Sequence, residues 1–158
     1  MSLPAPKEVR DLLEDLLGRP VAVNPANPVL AEDVPRTMVS LYVDDTLRLA
    51  AVIGLELSLA VYAGAALGLV PPGGAQDSVA EGVVSPMVAE NVTEVCNIMA
   101  GLLNRPGGPH IRMHQRYLPG QAPPTDAASW LLALGRRLDL NVEVGGYGGG
   151  RLSVALTN

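Results

Sequence analysis

The sequence predicts an α+β fold in which two long helices lie together on one face of an antiparallel or mixed sheet. Three observations predict it. Segments with apolar residues at helical spacing are interspersed with shorter segments in which every second residue is apolar. The order of these segments contains a strand–strand–helix unit twice, which indicates an internal duplication. The length of 158 residues suits a single domain, residues 1–158, with a buried core.

Composition and charge exclude several classes of function. Because 48% of the residues are hydrophobic and 17% are charged, we expect a folded chain rather than a disordered one. The net charge of −5 argues against binding to nucleic acid, which needs a basic surface. The single cysteine excludes an internal disulfide and a cysteine-rich zinc site. Because no secretory leader pattern and no apolar run of membrane-spanning length is found, we expect a soluble, cytoplasmic protein without a membrane partner.

The first segments are an amphipathic helix and a short strand. Residues 7–17 place leucine and valine on one face and charged side chains on the other, and Gly18 with Pro20 ends the helix. The apolar face is expected to cover one side of a sheet. Residues 21–23 are predicted to form a strand, and residues 24–28 a turn.

A strand hairpin and a second helix follow. Residues 37–43 have the β-branched content and alternation of a strand, two aspartates at 44–45 suit a turn, and residues 46–55 form the antiparallel partner. Residues 57–69 predict a helix rich in alanine and glycine, so we expect another element to pack closely against it. The Pro-Pro-Gly-Gly sequence at residues 71–74 predicts a flexible connection.

The longest helix is predicted over residues 77–105, with Asp77 or Ser78 as its N-terminal cap. Pro86 is expected to kink this helix or to split it in two, because proline lacks a backbone N–H and its ring clashes with the preceding turn. A proline- and glycine-rich sequence at residues 105–109 closes the helix.

The last third of the chain is predicted to complete the sheet. Residues 110–118 alternate as a strand does, and residues 127–138 form a short amphipathic helix. Two strands over residues 139–144 and 151–156 form a closing hairpin. Its glycine-rich tip at residues 145–150 is expected to be mobile.

Within the longest helix, the segment Ser85–Asn104 has two distinct faces. At about 100° per residue the apolar face comprises Val84, Val88, Val95, Ile98, Met99 and Leu102. A second stripe, centred roughly 130° away by the same count, is expected to be exposed to solvent. We call this second set the acidic stripe; its members are Met87, Glu90, Glu94, Asn97 and Gly101. Asparagine in mid-helix is unfavourable by several tenths of a kcal/mol, which favours a functional role for it here.

The stripe carries a sequence signature. Glu94-Val95-Cys96-Asn97 followed by Ile98-Met99-Ala100-Gly101 resembles the E-x-x-N-x-x-A-G signature of the CheC/CheX/FliY phosphatases, which dephosphorylate the response-regulator receiver CheY in chemotaxis. The resemblance implies a CheX/CheC-like pseudo-repeat, a phosphorylated CheY-like receiver as partner, and a homodimer. Glu56-Leu57-Ser58-Leu59 has leucine where a second signature needs asparagine. One site per chain is therefore expected, as in the CheX-like branch.

The resemblance also implies roles for four stripe residues. Asn97 would be catalytic and position the attacking water, because an uncharged carboxamide accepts from water and donates to a phosphoryl group. Glu94 would be catalytic by pairing with the receiver's active-site lysine. Glu90 and Gly101 would bind the partner, although the family often has Asp or Ser at the position of Glu90. No cofactor or metal ligand of its own is expected, since the receiver supplies the divalent Mg²⁺.

Three alternatives stay open from the sequence alone. A non-catalytic binding or scaffold module in a signalling or motility complex would keep the fold and the docking helix but has no need of both Glu94 and Asn97. A small-molecule-binding domain would need a sizeable cavity between the long helices and the sheet. In the third alternative, Glu90 and Glu94 are exposed carboxylates that only keep the helix surface solvated and have no functional role. Cys96 is expected to be an inert buried thiol, and His110 and His114 to be surface residues.

Overall fold

The chain folds around a six-stranded antiparallel sheet with helices on both faces. The structure is a computed structural model that describes residues 1–157. The helices are α1 (Pro6–Leu17), α2 (Leu57–Leu67), α3 (Pro72–Glu81), α4 (Pro86–Ile98) and α5 (Thr125–Leu132). The strands are β1 (Val21–Pro25), β2 (Thr37–Val43), β3 (Leu49–Glu56), β4 (Arg112–Tyr117), β5 (Arg137–Val144) and β6 (Gly148–Leu156). Two 3-10 turns cover Ala31–Arg36 and Met99–Leu102.

The strand order reveals the internal duplication. Across the sheet the order is β1-β5-β6-β3-β2-β4, and all neighbours are antiparallel. Exchanging β1 with β4, β2 with β5 and β3 with β6 reproduces this order from the opposite edge. Each half is therefore a helix, an edge strand, a helical crossover and a central hairpin, with α1 and α4 in equivalent places. The predicted pseudo-repeat is confirmed. Its repeating unit differs from the expected strand–strand–helix unit, because each repeat begins at the helix before its edge strand and ends with the central hairpin.

Helices α1, α2 and α4 cover one face of the sheet, and α2 lies at the centre of this layer. Eight of the eleven residues of α2 are buried. A Cβ atom on Gly64 would lie 2.6 Å from the backbone oxygen of Val88, so glycine is required for the contact between α2 and α4. The close packing predicted for this helix is therefore present.

Among the described residues, the apolar cavity in this layer is small. The cavity between the helices and the sheet has a volume of about 10 Å³ and is lined by apolar side chains of α1, α2, α4 and the central strands. A space of this size scarcely admits one water molecule. This cavity therefore gives no support to the hypothesis of a small-molecule pocket between the long helices and the sheet.

The opposite face of the sheet combines a small apolar cluster with a buried ion pair. Helix α5 packs there on Val39, Leu41 and Val52. Beside it, Arg137 and Asp139 form an ion pair with 2.8 Å between Nε and Oδ2, and both side chains are over nine-tenths buried. The α5 side of the sheet thus carries structural polar contacts, and the acidic stripe lies on the other side.

The longest helix differs from its prediction at its start. Instead of one helix from residue 77, α3 begins at Pro72 and ends at Glu81, and α4 begins at Pro86. Proline is favourable at the first position of a helix, where its missing N–H has no intrahelical acceptor, so residues 71–74 start a helix rather than forming a flexible connection. The expected division at Pro86 is confirmed, and Ser85 caps α4 by accepting from the backbone N–H of Val88 at 3.3 Å.

Other predicted boundaries were too long or misplaced. Strand β3 begins at Leu49 rather than at residue 46, because Asp44 accepts hydrogen bonds from the backbone N–H of Thr46 and of Arg48 and so extends the turn. Strand β1 continues to Pro25 through the predicted turn, paired with Leu140.

The last segments differ in the same way. Helix α5 ends at Leu132 rather than at residue 138, because Arg137 already pairs in β5. The tip expected to be mobile instead belongs to strand β6 from Gly148 onward. A Cβ on Gly150 would lie 2.9 Å from the backbone nitrogen of Leu59, so this strand passes directly against the start of α2.

Candidate active site

The acidic stripe lies on the outer face of α4 and of the 3-10 turn that follows it. Glu90, Glu94, Asn97 and Gly101 are exposed, and the Met87 side chain is 54% exposed. The opposite face of the helix packs into the core through Val88, Ala89, Val92, Val95 and Cys96. All five stripe residues therefore share one solvent-facing surface.

Three hydrogen bonds fix the orientation of α4. The buried Tyr42 hydroxyl donates to the backbone oxygen of Cys96 at 2.6 Å from strand β2. On one flank, the Asn91 amide donates to the Gly64 oxygen of α2 at 3.1 Å. These contacts, with one from strand β4 on the other flank, hold the helix in one rotation about its axis. The stripe is therefore presented on a rigid element, as a binding or catalytic surface requires.

The third contact joins α4 to the edge strand β4. The Arg116 Nε donates to the Thr93 hydroxyl at 3.0 Å, and that hydroxyl donates to the backbone oxygen of Ala89 at 2.6 Å. The sequence analysis did not single out Arg116, which lies 23 positions from Thr93 along the chain. Arg112, His114 and Arg116 are every second residue of the segment 110–118, which indicated only that they share one face of a strand.

The end of α4 is shaped by a tight turn. Asn104 accepts from the backbone N–H of Ile111 at 2.7 Å and donates to the Ala100 oxygen at 2.9 Å, so the 3-10 turn around Gly101 is held in place. A Cβ on Gly101 would meet no atom within 4 Å, which leaves open space beside the backbone. Ile98 was expected on the apolar face but is 37% exposed, because it lies at the border between the two faces of the helix.

The polar groups of the stripe are free of internal contacts. Within residues 1–157, Glu90, Glu94 and Asn97 have no side-chain hydrogen bond or ion pair with the rest of the chain. Neither α4 nor the following turn contains Lys, Arg or His. Two carboxylates and one carboxamide thus face solvent, with all of their hydrogen-bonding capacity available to a second molecule.

The remaining reactive side chains fit structural or surface roles. Burial raises the pKa of the Cys96 thiol to about 11, so the thiol is protonated and unreactive at neutral pH. His110 is exposed, with its Nδ1 3.3 Å from Asp45 Oδ1, and His114 is exposed as well. In the described part of the chain, no three His, Cys, Asp or Glu side chains are grouped closely enough to hold a metal ion.

The Glu56–Leu59 quartet offers no second site. Glu56 is the last residue of β3 rather than part of the helix, and Leu59 is 2% exposed. The position where a signature asparagine would stand is therefore inside the core. Among the described residues, α4 presents the signature at a surface. The helix equivalent to α4 in the duplicated fold is α1, so the expectation that the helix after Glu56 is its counterpart was wrong.

Comparison with known proteins addresses the fold. No family model matches the chain, and no curated protein matches it. Among solved structures, it resembles a chain of the FliM–SpeE complex from H. pylori, with a TM-score of 0.64 and 9% identity, over 96% of this chain and 80% of that one. It also resembles a chain of the CheX–CheY–BeF3–Mg²⁺ complex from Borrelia burgdorferi, with a TM-score of 0.55 and 15% identity, over 94% and 92% of the two chains. The chain has the CheX/FliM fold.

A third structure extends this comparison. Thermotoga maritima FliY matches with a TM-score of 0.52 and 13% identity, over 94% of this chain and 82% of that one. The resemblance to the CheC/CheX/FliY proteins, predicted from residues 94–101, is thus confirmed at the level of the CheX/FliM fold. Across the described residues of this CheX/FliM-fold chain, no helix is long and apolar enough to cross a membrane.

Proposed function

We propose that the chain is a CheX-like phosphatase that hydrolyses the aspartyl phosphate of a CheY-type receiver domain. One observation carries the proposal: Glu94 and Asn97 lie one turn apart on the exposed face of α4, with no internal partner in the described part of the chain. Side chains without a structural role on a rigid helix are suited to contacts with a second protein. The match to a CheX chain crystallised with CheY supports a receiver as that protein.

In this proposal Asn97 holds the attacking water in line with the phosphorus atom. The carboxamide oxygen accepts a hydrogen bond from the water, and the carboxamide N–H₂ donates to a phosphoryl oxygen. The water oxygen forms a bond to phosphorus while the bond from phosphorus to the aspartyl oxygen breaks. The bonding pair returns to the aspartate carboxylate, and the water protons leave with inorganic phosphate. The receiver's divalent metal would neutralise charge on the phosphoryl oxygens.

Glu94, in the same proposal, binds and orients the receiver. Its carboxylate would accept from the receiver's active-site lysine, which aligns the phosphoryl group with the water on Asn97. Glu90 and Gly101 extend the contact by one turn in each direction, and the open space at Gly101 accommodates a backbone of the partner. Exposed Met87 and Ile98 add apolar area beside the acidic groups.

A second candidate function is assembly without hydrolysis. The match to FliM at a TM-score of 0.64 favours it, because the matched FliM chain was crystallised in complex with SpeE and another FliM with FliG. In that case α4 would serve as a docking helix only. Glu94 and Asn97 distinguish the two hypotheses, since docking alone does not require a water-positioning carboxamide.

The test measures decay of phosphorylated receiver domains from the same organism, with Mg²⁺, in the presence and absence of the protein. We expect acceleration by the wild type and a loss of about 100-fold for Asn97→Ala and for Glu94→Ala. Asp77→Ala, which removes an exposed carboxylate from α3, is the matched control and should keep full activity. Unchanged decay of every receiver, combined with tight binding of one, would contradict hydrolysis and support the assembly function.

The homodimer that the resemblance implies and the cytoplasmic location expected from the sequence stay predictions. In the described chain the sheet edges are β1 and β4, and β4 carries exposed Arg112 and His114. A charged side chain such as that of Arg112 disfavours pairing along an edge. We therefore propose β1 as the better edge for a strand-paired dimer.

A further inference from the structure

We propose that Arg116 is an anion-binding residue of the same site and that its guanidinium contacts the phosphoryl group of the receiver. The inference rests on the proposed function. It assigns a role to a residue outside the signature sequence, on a different element of the fold. It also specifies the state of the partner that is recognised, namely the phosphorylated one.

The charges of the acidic stripe create the need for such a residue. A phosphoryl group brought to Asn97 would approach the carboxylates of Glu90 and Glu94, and α4 and its following turn carry no basic side chain. Like charges placed together across an interface disfavour association. A cation from another element would offset this repulsion, provided that it lies beside the stripe.

Arg116 is a cation from another element that lies beside the acidic stripe. It projects from the edge strand β4, where its backbone is aligned with Ser40 of β2. Its Nε donates to the Thr93 hydroxyl at 3.0 Å, which fixes the guanidinium against α4. Thr93 is itself held by its bond to the Ala89 oxygen at 2.6 Å. The arginine is therefore anchored through one nitrogen atom rather than extended freely into solvent.

The anchor point borders the acidic stripe. Thr93 follows Glu90 by three residues and precedes Asn97 by four, and such neighbours on a helix lie about 5–6 Å apart between Cβ atoms. The guanidinium thus lies on the side of the stripe where Glu90 and Asn97 are found. It is partly buried, and within residues 1–157 it pairs with no carboxylate.

The free edge of the guanidinium suits a phosphoryl group. With Nε engaged by Thr93, the two terminal nitrogen atoms keep their N–H groups for an acceptor. Arginine binds phosphate through two parallel hydrogen bonds, which gives both charge neutralisation and a defined orientation. Arg116 is expected to act on recognition of the phosphorylated receiver, whereas Asn97 acts on the water.

The experiment separates binding from hydrolysis by using a receiver loaded with beryllofluoride and Mg²⁺ as a stable phosphoryl mimic. Dissociation constants are measured for loaded and unloaded receiver with the wild type, Arg116→Gln and Arg116→Lys. We expect Arg116→Gln to weaken binding of the loaded receiver by about tenfold and that of the unloaded receiver by less than about twofold. Arg116→Lys should fall between, because lysine keeps the charge but not the paired hydrogen bonds.

Arg112→Gln is the matched control, since it removes an exposed arginine from the same strand. It should change binding of both receiver forms equally and slightly. Should Arg116→Gln fail to fold, Thr93→Val tests the same contact, because it removes the anchor and retains the charge; we expect it to lower the preference for loaded receiver about threefold.

The outcomes distinguish this inference from the proposed function. Equal weakening of loaded and unloaded receiver, or no weakening, would overturn the role of Arg116 while leaving hydrolysis intact if the wild type still accelerates decay. A wild type that neither binds nor dephosphorylates any receiver of the organism would overturn both. Loss of the preference for the loaded form in Arg116→Gln, with binding of the unloaded receiver retained, is the expected result.

Discussion

Helices α1 and α4 occupy equivalent places in the duplicated fold, yet their polar side chains are used in opposite ways. On α1, three of the four acidic side chains contact other groups of the molecule. Glu8 accepts from Arg105, with 2.6 Å between Oε2 and Nη1, and Glu14 accepts from the backbone N–H of Val21 at 3.0 Å. Asp11 pairs with Lys7 at 2.6 Å. The polar face of α1 therefore contributes to the structure of the chain itself.

On α4 the corresponding face makes no such contacts. Within residues 1–157, Glu90, Glu94 and Asn97 have no internal partner, and the helix is oriented by Tyr42, Asn91 and Thr93 on its other faces. If α4 is the recognition surface proposed above, the duplicated fold uses one helix for internal contacts and leaves the other for a partner. Substitutions on the two helices should therefore affect different measurements.

The largest effect is expected where α4 packs on α2. In Gly64→Ala the new methyl group would lie 2.6 Å from the Val88 oxygen, and backbone atoms of α4 must move to relieve it. Overpacking of this severity costs about 3 kcal/mol, against a gain of about 1 kcal/mol in helix propensity. We expect the free energy of unfolding, measured in urea, to fall by about 2 kcal/mol, and receiver dephosphorylation to slow as α4 shifts.

Gly101→Ala is the matched control for that substitution. A Cβ at Gly101 meets nothing within 4 Å, so the free energy of unfolding should not fall. If Gly101 admits the partner's backbone as proposed, receiver binding should weaken while stability is kept. Equal stability losses for the two alanine variants would show that α4 does not depend on close packing with α2.

Features that depend on one short segment of the chain could be predicted from the sequence. Local patterns place α1, β2 and the acidic stripe correctly, because each depends on periodicity within one segment. Proline and glycine at residues 71–74 were misassigned as a connection, since the same residue types occur at the first turn of a helix and in loops. Their role is decided by the packing of Ala75, which is 2% exposed, and packing is not visible locally.

Contacts between segments that are far apart in the chain could not be predicted from the sequence, for a different reason. The bond from Arg116 to Thr93 depends on the register of β4 against β2, where a bulge changes which side chains face α4. Likewise, the equivalence of α1 and α4 follows from strand pairing across the sheet. A periodic pattern identifies the exposed face of a helix, but only the assembled sheet shows which neighbour borders it.

A smaller effect is expected on α1 and depends on pH. The hydrogen bond from Arg105 lowers the pKa of Glu8 to about 2, from an ordinary value of 4.5. As the pH falls below about 4.5, the unfolded chain takes up a proton at this position before the folded chain does. The stabilisation by ionised Glu8 is therefore complete above that pH and is lost as the pH falls towards 2.

Glu8→Gln should remove this contribution, which is at most about 1 kcal/mol for a pair so accessible to solvent. Urea unfolding at pH 7 and at pH 2.5 should show a larger acid-induced loss of stability for the wild type than for the variant. Glu94→Gln is the matched substitution on α4 and should leave the acid-induced loss at its wild-type value. The opposite ranking would mean that the two helices do not divide stability and recognition between them.

The smallest effect is expected at Glu90, which lies within the proposed contact but whose negative charge would repel the phosphoryl group during approach. Glu90→Ser removes one of the two carboxylates that would face the phosphoryl group in the proposed complex. It should leave the fold untouched, because Glu90 is exposed and without an internal partner in residues 1–157. Weaker repulsion should raise the rate of association with the phosphorylated receiver by about threefold at low salt, an increase that screening removes near 1 M salt. Stopped-flow association at two ionic strengths measures it. A slower association would instead mean that Glu90 meets a basic group of the receiver, so that the acidic stripe, unlike α1, would find its counter-charge in another molecule.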